Sequence, residues 1–458
     1  MPVSRPLIGF TLFLCLTVVG CGDAKPVAPT VEGTTSTKTE TAGNQGEATP
    51  TEGAPKTEPM VGNGPEAPPK PEVAPMPEAP PAEEFKPDDP AAVAALEKLG
   101  VKMKGRDGVI LLADFSELPI GDEEIAHLRG LPNLKVLNLF STQVTNDGFA
   151  VVAELPNLIS INIRRCTQIT DEGLVHLKGL KNLKELLLLY TTTTDAGLEH
   201  VGHLTGLKSL DIRGCMVVGD GGLEAIQGLT ELESLMIRTP NVTADGVAHL
   251  ANMKELKYLS LQDTGADDEA MTHLAGLTKL QRIILMGTYV GDKGLAVFDN
   301  MPDLRIVELR GASVKGPGLV HLAASKDSLI ELDLSELRIS DEGIAPIGVL
   351  TSLKKLDLWN STVSDAGVAE TISKLSQLTH LTLRASRVTD AGIPALLKLT
   401  ELKDLNLAET EITDAALEQL AGLKSLQMLN IAQTSVTDAG IEAFKKAHPE
   451  CQVAINVQ

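Results

Sequence analysis

The chain has 458 residues, 43% of them apolar and only 3% aromatic, with 40 basic against 61 acidic side chains and a net charge of −21. So acidic a balance argues against nonspecific nucleic-acid binding, whose electrostatic footprint is basic. Of the five cysteines none need pair.

Residues 1–21 carry a single charge, Arg5, followed by an apolar run over residues 6–20. The run is too short to span a bilayer comfortably and has the proportions of an export-signal core. It ends V-V-G-C at residues 18–21, which resembles the lipobox of bacterial lipoproteins. That resemblance implies lipidation of Cys21, which becomes the new N-terminus, and hence an exported protein anchored in the cell envelope, at the inner or the outer membrane. A multiply acylated terminus would hold stably, whereas one chain binds only marginally.

Residues 22–88 are rich in Pro, Thr, Glu and Ala. Residues 22–90 contain 15 of the 26 prolines and a single aromatic, Phe85, so no core can form there. The same stretch holds 13 acidic and 5 basic residues, which with Arg5 leaves −14 of the total −21 on residues 91–458. It is expected to be a disordered tether, spanning about 45 Å as a coil and about 200 Å as stretched polyproline. From residue 89 the pattern becomes D-P-A-A-V-A-A-L-E-K-L-G. Asp89 suits a helix cap, Pro90 the first turn and Gly100 the stop, giving a capping helix within residues 89–104.

Residues 105–458 repeat one theme. Residues 161–183 read I-N-I-R-R-C-T-Q-I-T-D-E-G-L-V-H-L-K-G-L-K-N-L, and the Asp of I-T-D-E-G-L recurs fourteen times from Asp122 to Asp438, always 24 or 25 residues apart, with Asn146, Ala244 and Gly316 as departures. In L-x-x-L-x-L, as at Leu183, Leu186 and Leu188, the last two leucines share one strand face and point inward. Thr170 and Asp171 suit a helix start, where side-chain oxygens accept from orphan amides. Leu174, Leu177 and Leu180 then form one apolar stripe on two short helical turns. One such unit cannot bury its own stripe, so the units must stack, strands inside and helices outside. Strands about 4.8 Å apart give an inner edge of about 65 Å. The helices are wider than the strands, so the stack should curve into an open arc with a concave strand face. Residues 449–457, P-E-C-Q-V-A-I-N-V, break the leucine pattern but alternate, and read as a closing strand.

The I-T-D-x-G-L units, with Cys166 or Cys215 at the loop turn and Thr142, Thr191, Thr264, Thr288, Thr410 or Thr434 in the same slot, resemble the cysteine-containing leucine-rich-repeat subfamily. The resemblance covers residues 105–458. It implies an α/β leucine-rich-repeat solenoid of about 14 repeats that binds rather than catalyses. Such repeats are familiar from the recognition arms of eukaryotic ubiquitin ligases and from planctomycete-like bacterial lipoproteins. No F-box-like helical segment precedes these repeats, which counts against the ligase-adaptor alternative. A polysaccharide-binding module, the other alternative, should show regularly stacked aromatics.

Searching for chemistry yields little. His127, His176, His200, His249, His273 and His321 share one helix slot, but no H-E-x-x-H or cysteine cluster makes them metal ligands. The glycines of residues 287–294, G-T-Y-V-G-D-K-G, miss the phosphate-loop spacing, and Ser352 with Lys355 meets S-x-x-K only across a buried strand leucine. Cys166 and Cys215 lie two repeats apart, roughly 9–10 Å, too far to bridge. We expect no metal, no cofactor and no enzyme activity.

The informative column is the residue after each L-x-x-L-x-L: Phe140, Arg164, Leu189, Arg213, Arg238, Gln262, Met286, Arg310, Ser335, Trp359, Arg384, Ala408 and Ala432. Five are arginine and none is acidic. Two residues earlier stand Asp211, Glu308, Asp333 and Asp357, so Asp211 with Arg213 and Glu308 with Arg310 could neutralise each other. The alternative is that these arginines, with Trp359, Phe140, Met286 and Tyr258, anchor a protein partner. Trp359, the one tryptophan, is the leading candidate. The expected protein is a monomeric, noncatalytic, lipid-anchored binder or scaffold.

Overall fold

The computed structural model describes residues 85–455. The signal segment, Cys21 and the tether up to residue 84 lie outside the described residues.

Sixteen strands form one open sheet in sequence order. Strands β1 (Lys102–Arg106) and β2 (Val109–Asp114) pair antiparallel, and each further pairing, out to the strand Gln452–Ala454, is parallel. Fourteen strand–loop–helix units therefore begin at β2, and one strand closes the array. The central residues of successive strands, Leu137, Ile161, Leu186 and Leu210, are register partners and fully buried. This is the inward row that the two-residue leucine spacing demands.

The first end carries a hairpin that the leucine pattern does not announce. Asp107 and Gly108 both have positive φ, 54° and 82°, and two left-handed residues in a tight loop match the right-handed twist of the strands they join. Gly105 sits where the register shifts by a bulge, and a Cβ there would overlap the Val109 carbonyl. Helix α1 (Pro90–Lys98) covers the neighbouring apolar end, burying Ala92 and Leu96, and Asp89 Oδ1 accepts from the Ala91 amide at 2.9 Å. The chain entering α1 is fastened as well. Asn133 both accepts from the Lys86 amide (3.1 Å) and donates to its carbonyl (2.5 Å), and Asp88 accepts from the Ile110 amide.

On the convex side a typical unit has one α-turn, Asp171–Leu174, followed by a 3₁₀ turn, Val175–Gly179. Spacing of three is the 3₁₀ period, so Leu174, Leu177 and Leu180 all fall on the buried side.

The repeated aspartate does something different from the helix-start role read from sequence. Its carboxylate reaches the cap of the next repeat: Asp171 accepts from the Thr194 amide (2.9 Å) and hydroxyl (2.6 Å), and Asp341 accepts in the same way from Ser364. The Thr or Ser hydroxyl then accepts from an amide of its own first turn, as Thr194 does from Ala196. A polar ladder thus joins successive helices. A Cβ at Gly197 would overlap Asp171 Oδ1, although Ala416 stands at the equivalent position while Asp390 keeps both bonds to Thr413. Where the preceding repeat has Ala244 instead of an acid, the glycine position holds the buried Ala270.

The loop slot is likewise structural. Thr264 and Thr288 each donate to the carbonyl three residues back (2.7 Å), while Cys166 and Cys215 donate to the carbonyls of Leu139 and Leu188 in the preceding repeat.

Candidate functional site on the concave strand face

The acids and amides two residues before the column are fixed by backbone geometry. Asp357 Oδ1 accepts from the Trp359 amide (2.8 Å), Asp333 from Ser335, Asp211 from Arg213, Asn162 from Arg164 and Asn138 from Phe140. These side chains close a turn at the strand end. The residue after the column enters left-handed space, at φ 57° for Asn360, 59° for Arg165 and 55° for Tyr190. The column therefore sits on a rigid shelf.

Most of the arginines are already engaged. Arg213 pairs with Asp211 inside its own repeat (2.7 Å). Arg238, Arg310 and Arg384 instead pair forward with Asp263, Glu336 and Glu409 at 2.7–2.9 Å, acids at the left-handed position one strand on. The anticipated pairing of Glu308 with Arg310 does not form, because Glu308 is taken by Arg282 (2.6 Å) on the preceding strand. Adjacent strands lie about 4.8 Å apart, closer than same-face neighbours along one strand, so cross-strand partners win.

Two clusters result. In the first, Arg310 lies 4.8 Å and Arg384 5.2 Å from the centre of the Trp359 ring. Arg310 comes from two strands away, across Ser335, which is buried and too small to block it. Trp359, expected to stand in water, is half-buried between these guanidiniums. The cluster is not basic, since Asp333, Glu336, Asp357 and Glu409 surround the two arginines. Burial pushes the Asp357 carboxyl up to about 6, with Asp333 adding to the rise and the Trp359 amide and both arginines opposing it. Burial also raises Glu308 and Asp404.

In the second cluster, Arg164 stacks 4.6 Å from the centre of Phe140, and Arg165 lies 5.9 Å from Phe140 and 5.7 Å from Tyr190. Arg165 and Tyr190 escape a reading of the column because they occupy the following, left-handed position. That position holds Gly214, Gly287, Gly311 and Asn360 but equally Glu336, Ala385, Glu409 and Gln433, so the residue type there gave no signal.

Other column members play no such part. Leu189, Ser335, Ala408 and Ala432 are buried rather than solvent-facing, and Tyr258, half-buried, makes no ring contact with either cluster. Cys166, Cys215 and Cys451 are free, buried thiols whose burial raises them further from ionisation. Among the described residues no three His, Cys, Asp or Glu side chains converge as metal ligands, and no helix is long and apolar enough to cross a membrane.

The architecture defines an open repeat solenoid with an exposed strand face. Leucine rich repeat family profiles match some of its units, one over residues 376–436 and a second over residues 154–177 and 203–226. No curated protein matches the chain. Among solved structures it is similar to an internalin from Listeria monocytogenes, with 20% identity, TM-score 0.52, and 81% of this chain and 96% of that one covered. A leucine-rich-repeat protein of Leptospira interrogans gives 17% identity and TM-score 0.54, over 81% of this chain and all of the other. The ectodomain of the Arabidopsis thaliana receptor kinase GASSHO1/SCHENGEN3, in complex with CASPARIAN STRIP INTEGRITY FACTOR 2, gives 17% and 0.50, over 78% of this chain and 51% of that one. At such identities the likeness is one of fold.

Proposed function

We propose that this protein is a noncatalytic scaffold, anchored by lipid at Cys21 in a bacterial cell envelope, that holds a protein partner on its concave strand face. The observation that carries the reading is the side-chain layer on that face. Trp359 is bracketed by Arg310 and Arg384, and Phe140 and Tyr190 bracket Arg164 and Arg165. Aromatic and arginine side chains of this kind are the anchors enriched at protein interfaces, and the leucine core beneath does not require them. An ectodomain of similar fold was solved in complex with CASPARIAN STRIP INTEGRITY FACTOR 2, which accords with a protein partner. The V-V-G-C sequence at residues 18–21 supports the anchor.

Two experiments test the reading. Crosslinking in the membrane fraction should recover a partner that Trp359→Ala and Arg310→Ala lose, while Lys178→Ala on the convex side keeps it. Loss confined to the convex variant would move the site to the helices. Cells fed a clickable fatty acid should label the parent and not Cys21→Ala; equal labelling of both would remove the anchor from the reading.

A further inference from the structure

We propose that the Phe140–Arg164–Arg165–Tyr190 cluster is a receptor site for an acidic peptide segment of the partner, whose carboxylates Arg164 and Arg165 take up. The proposal rests on the concave face being the partner surface, and it assigns one part of that face a definite chemistry.

The first ground is how the arginines are paired. Arg213, Arg238, Arg282, Arg310 and Arg384 each lie within 2.9 Å of a carboxylate. Arg164 and Arg165, adjacent in sequence, have none among the described residues; Arg305, Arg338 and Arg387 have none either, but they are exposed and stand apart from one another. With −14 carried on residues 91–458, acids are plentiful, yet this pair is left without them.

The second ground is desolvation. The Arg164 Nε is shielded from solvent and has no hydrogen-bond acceptor. A buried charged donor without an acceptor is unfavourable until a ligand oxygen supplies one. The guanidinium is meanwhile held by stacking on Phe140, which engages its face and none of its N–H groups. Tyr190 holds Arg165 in the same way from the next repeat. Both donors are therefore pre-oriented, which reduces the ordering lost on binding.

The third ground is what borders the pair. The Tyr190 ring is 44% exposed and lies over Gly214, where a Cβ would overlap it. Just beyond stand Met216 and Val217, 56% and 64% exposed in the loop that follows. Apolar residues flanking a carboxylate in an extended peptide would find contacts there. The Trp359 cluster, ringed by four carboxylates, offers an acidic segment no such site. Nor does the acidic domain as a whole favour a long polyanion, which it would repel at a distance.

The test uses the full chain and a labelled, end-blocked decapeptide of alternating Glu and Leu, followed by fluorescence anisotropy at low and moderate salt. The parent should bind this peptide, with affinity falling as salt rises, and should bind the Gln-for-Glu analogue about tenfold or more weakly. Arg164→Gln/Arg165→Gln should lose about tenfold or more, and Phe140→Leu part of that, while Arg310→Gln/Arg384→Gln is unchanged. Arg165→Glu, at an exposed position, gives a second variant that keeps the fold and should abolish binding. Equal affinity of parent and Arg164→Gln/Arg165→Gln, equal affinity for both peptides, or tighter binding of a single-stranded oligonucleotide of the same length would each overturn the proposal. Partner capture separates the two levels. If Trp359→Ala releases the crosslinked partner and Arg164→Gln/Arg165→Gln retains it, the concave reading stands and the acidic-peptide site falls. If neither variant releases it, both fall.

Discussion

Replacing Gly246 by alanine tests whether the aspartate–glycine contact between repeats is what builds the convex side. Gly246 lies in the short helix Ala244–Ala248, so helix propensity alone makes Gly246→Ala stabilising by about 1 kcal/mol. The structure says the opposite sign prevails. A Cβ at Gly246 would overlap Asp220 Oδ1 and sit 3.0 Å from the Asp220 Cα. The carboxylate would have to shift while accepting from the Thr243 amide and hydroxyl, both at 2.7 Å, as Asp390 does beneath Ala416 without losing Thr413. Two charge-assisted bonds at a solvent-exposed position, discounted for screening, are worth roughly 2–3 kcal/mol together. Because these bonds are strained rather than lost, Gly246→Ala should cost about 1 kcal/mol once the propensity gain is subtracted. Asp220→Ala alone should cost about 1–2 kcal/mol. The double variant recreates what the next repeat already has, Ala270 over Ala244, so it should be more stable than the sum of the singles by about 1 kcal/mol or more. Urea denaturation followed by far-UV circular dichroism gives the cycle, and unchanged m-values would show that the array still unfolds as one unit. Additivity within roughly 0.5 kcal/mol would refute the contact as the reason for the glycine.

Burial of Leu259 (1% exposed) in the inward row makes Leu259→Ala cost about 2–5 kcal/mol in the same assay, and a loss under about 1 kcal/mol would mean the inward register is wrong. Asp357 supplies a pH dependence whose sign follows from its raised value of about 6. Folding then favours the protonated carboxyl, so its contribution is complete below about pH 4 and is lost as pH rises through about 6. After discounting for partial exposure, the swing is on the order of 1–2 kcal/mol. Asp357→Asn keeps an acceptor for the Trp359 amide, so it should flatten that part of the stability–pH curve and be the more stable form at pH 7. A parallel curve for parent and variant would rule the group out.

Repeat length, strand and helix order, the inward leucines and the open parallel sheet were all legible in the sequence, because each follows from a short-range period. Two residues per strand alternation and three per helical step recur every 24 or 25 positions, and only stacking buries the stripes they create. The same logic exposed the column of Arg164, Arg213, Arg238, Arg310 and Arg384. The β1–β2 hairpin was recorded in Asp107–Gly108 but lay outside the leucine pattern.

What tertiary structure decided is everything that depends on a neighbour one strand away. Which carboxylate Arg310 meets is set by a cross-strand distance that no single repeat contains, so Glu336 takes it and Glu308 goes to Arg282. The repeated aspartate looks like a helix cap within its own unit and acts as a clasp on the next one. Arg165 and Tyr190 gain their position only once the turn after the strand throws them into left-handed space beside Phe140. Period is a property of the chain, whereas pairing across the stack depends on spacing and on which side chain is small enough to be crossed. For that reason the chain by itself determines a curved array, and the packed array alone determines which of its arginines meet a carboxylate.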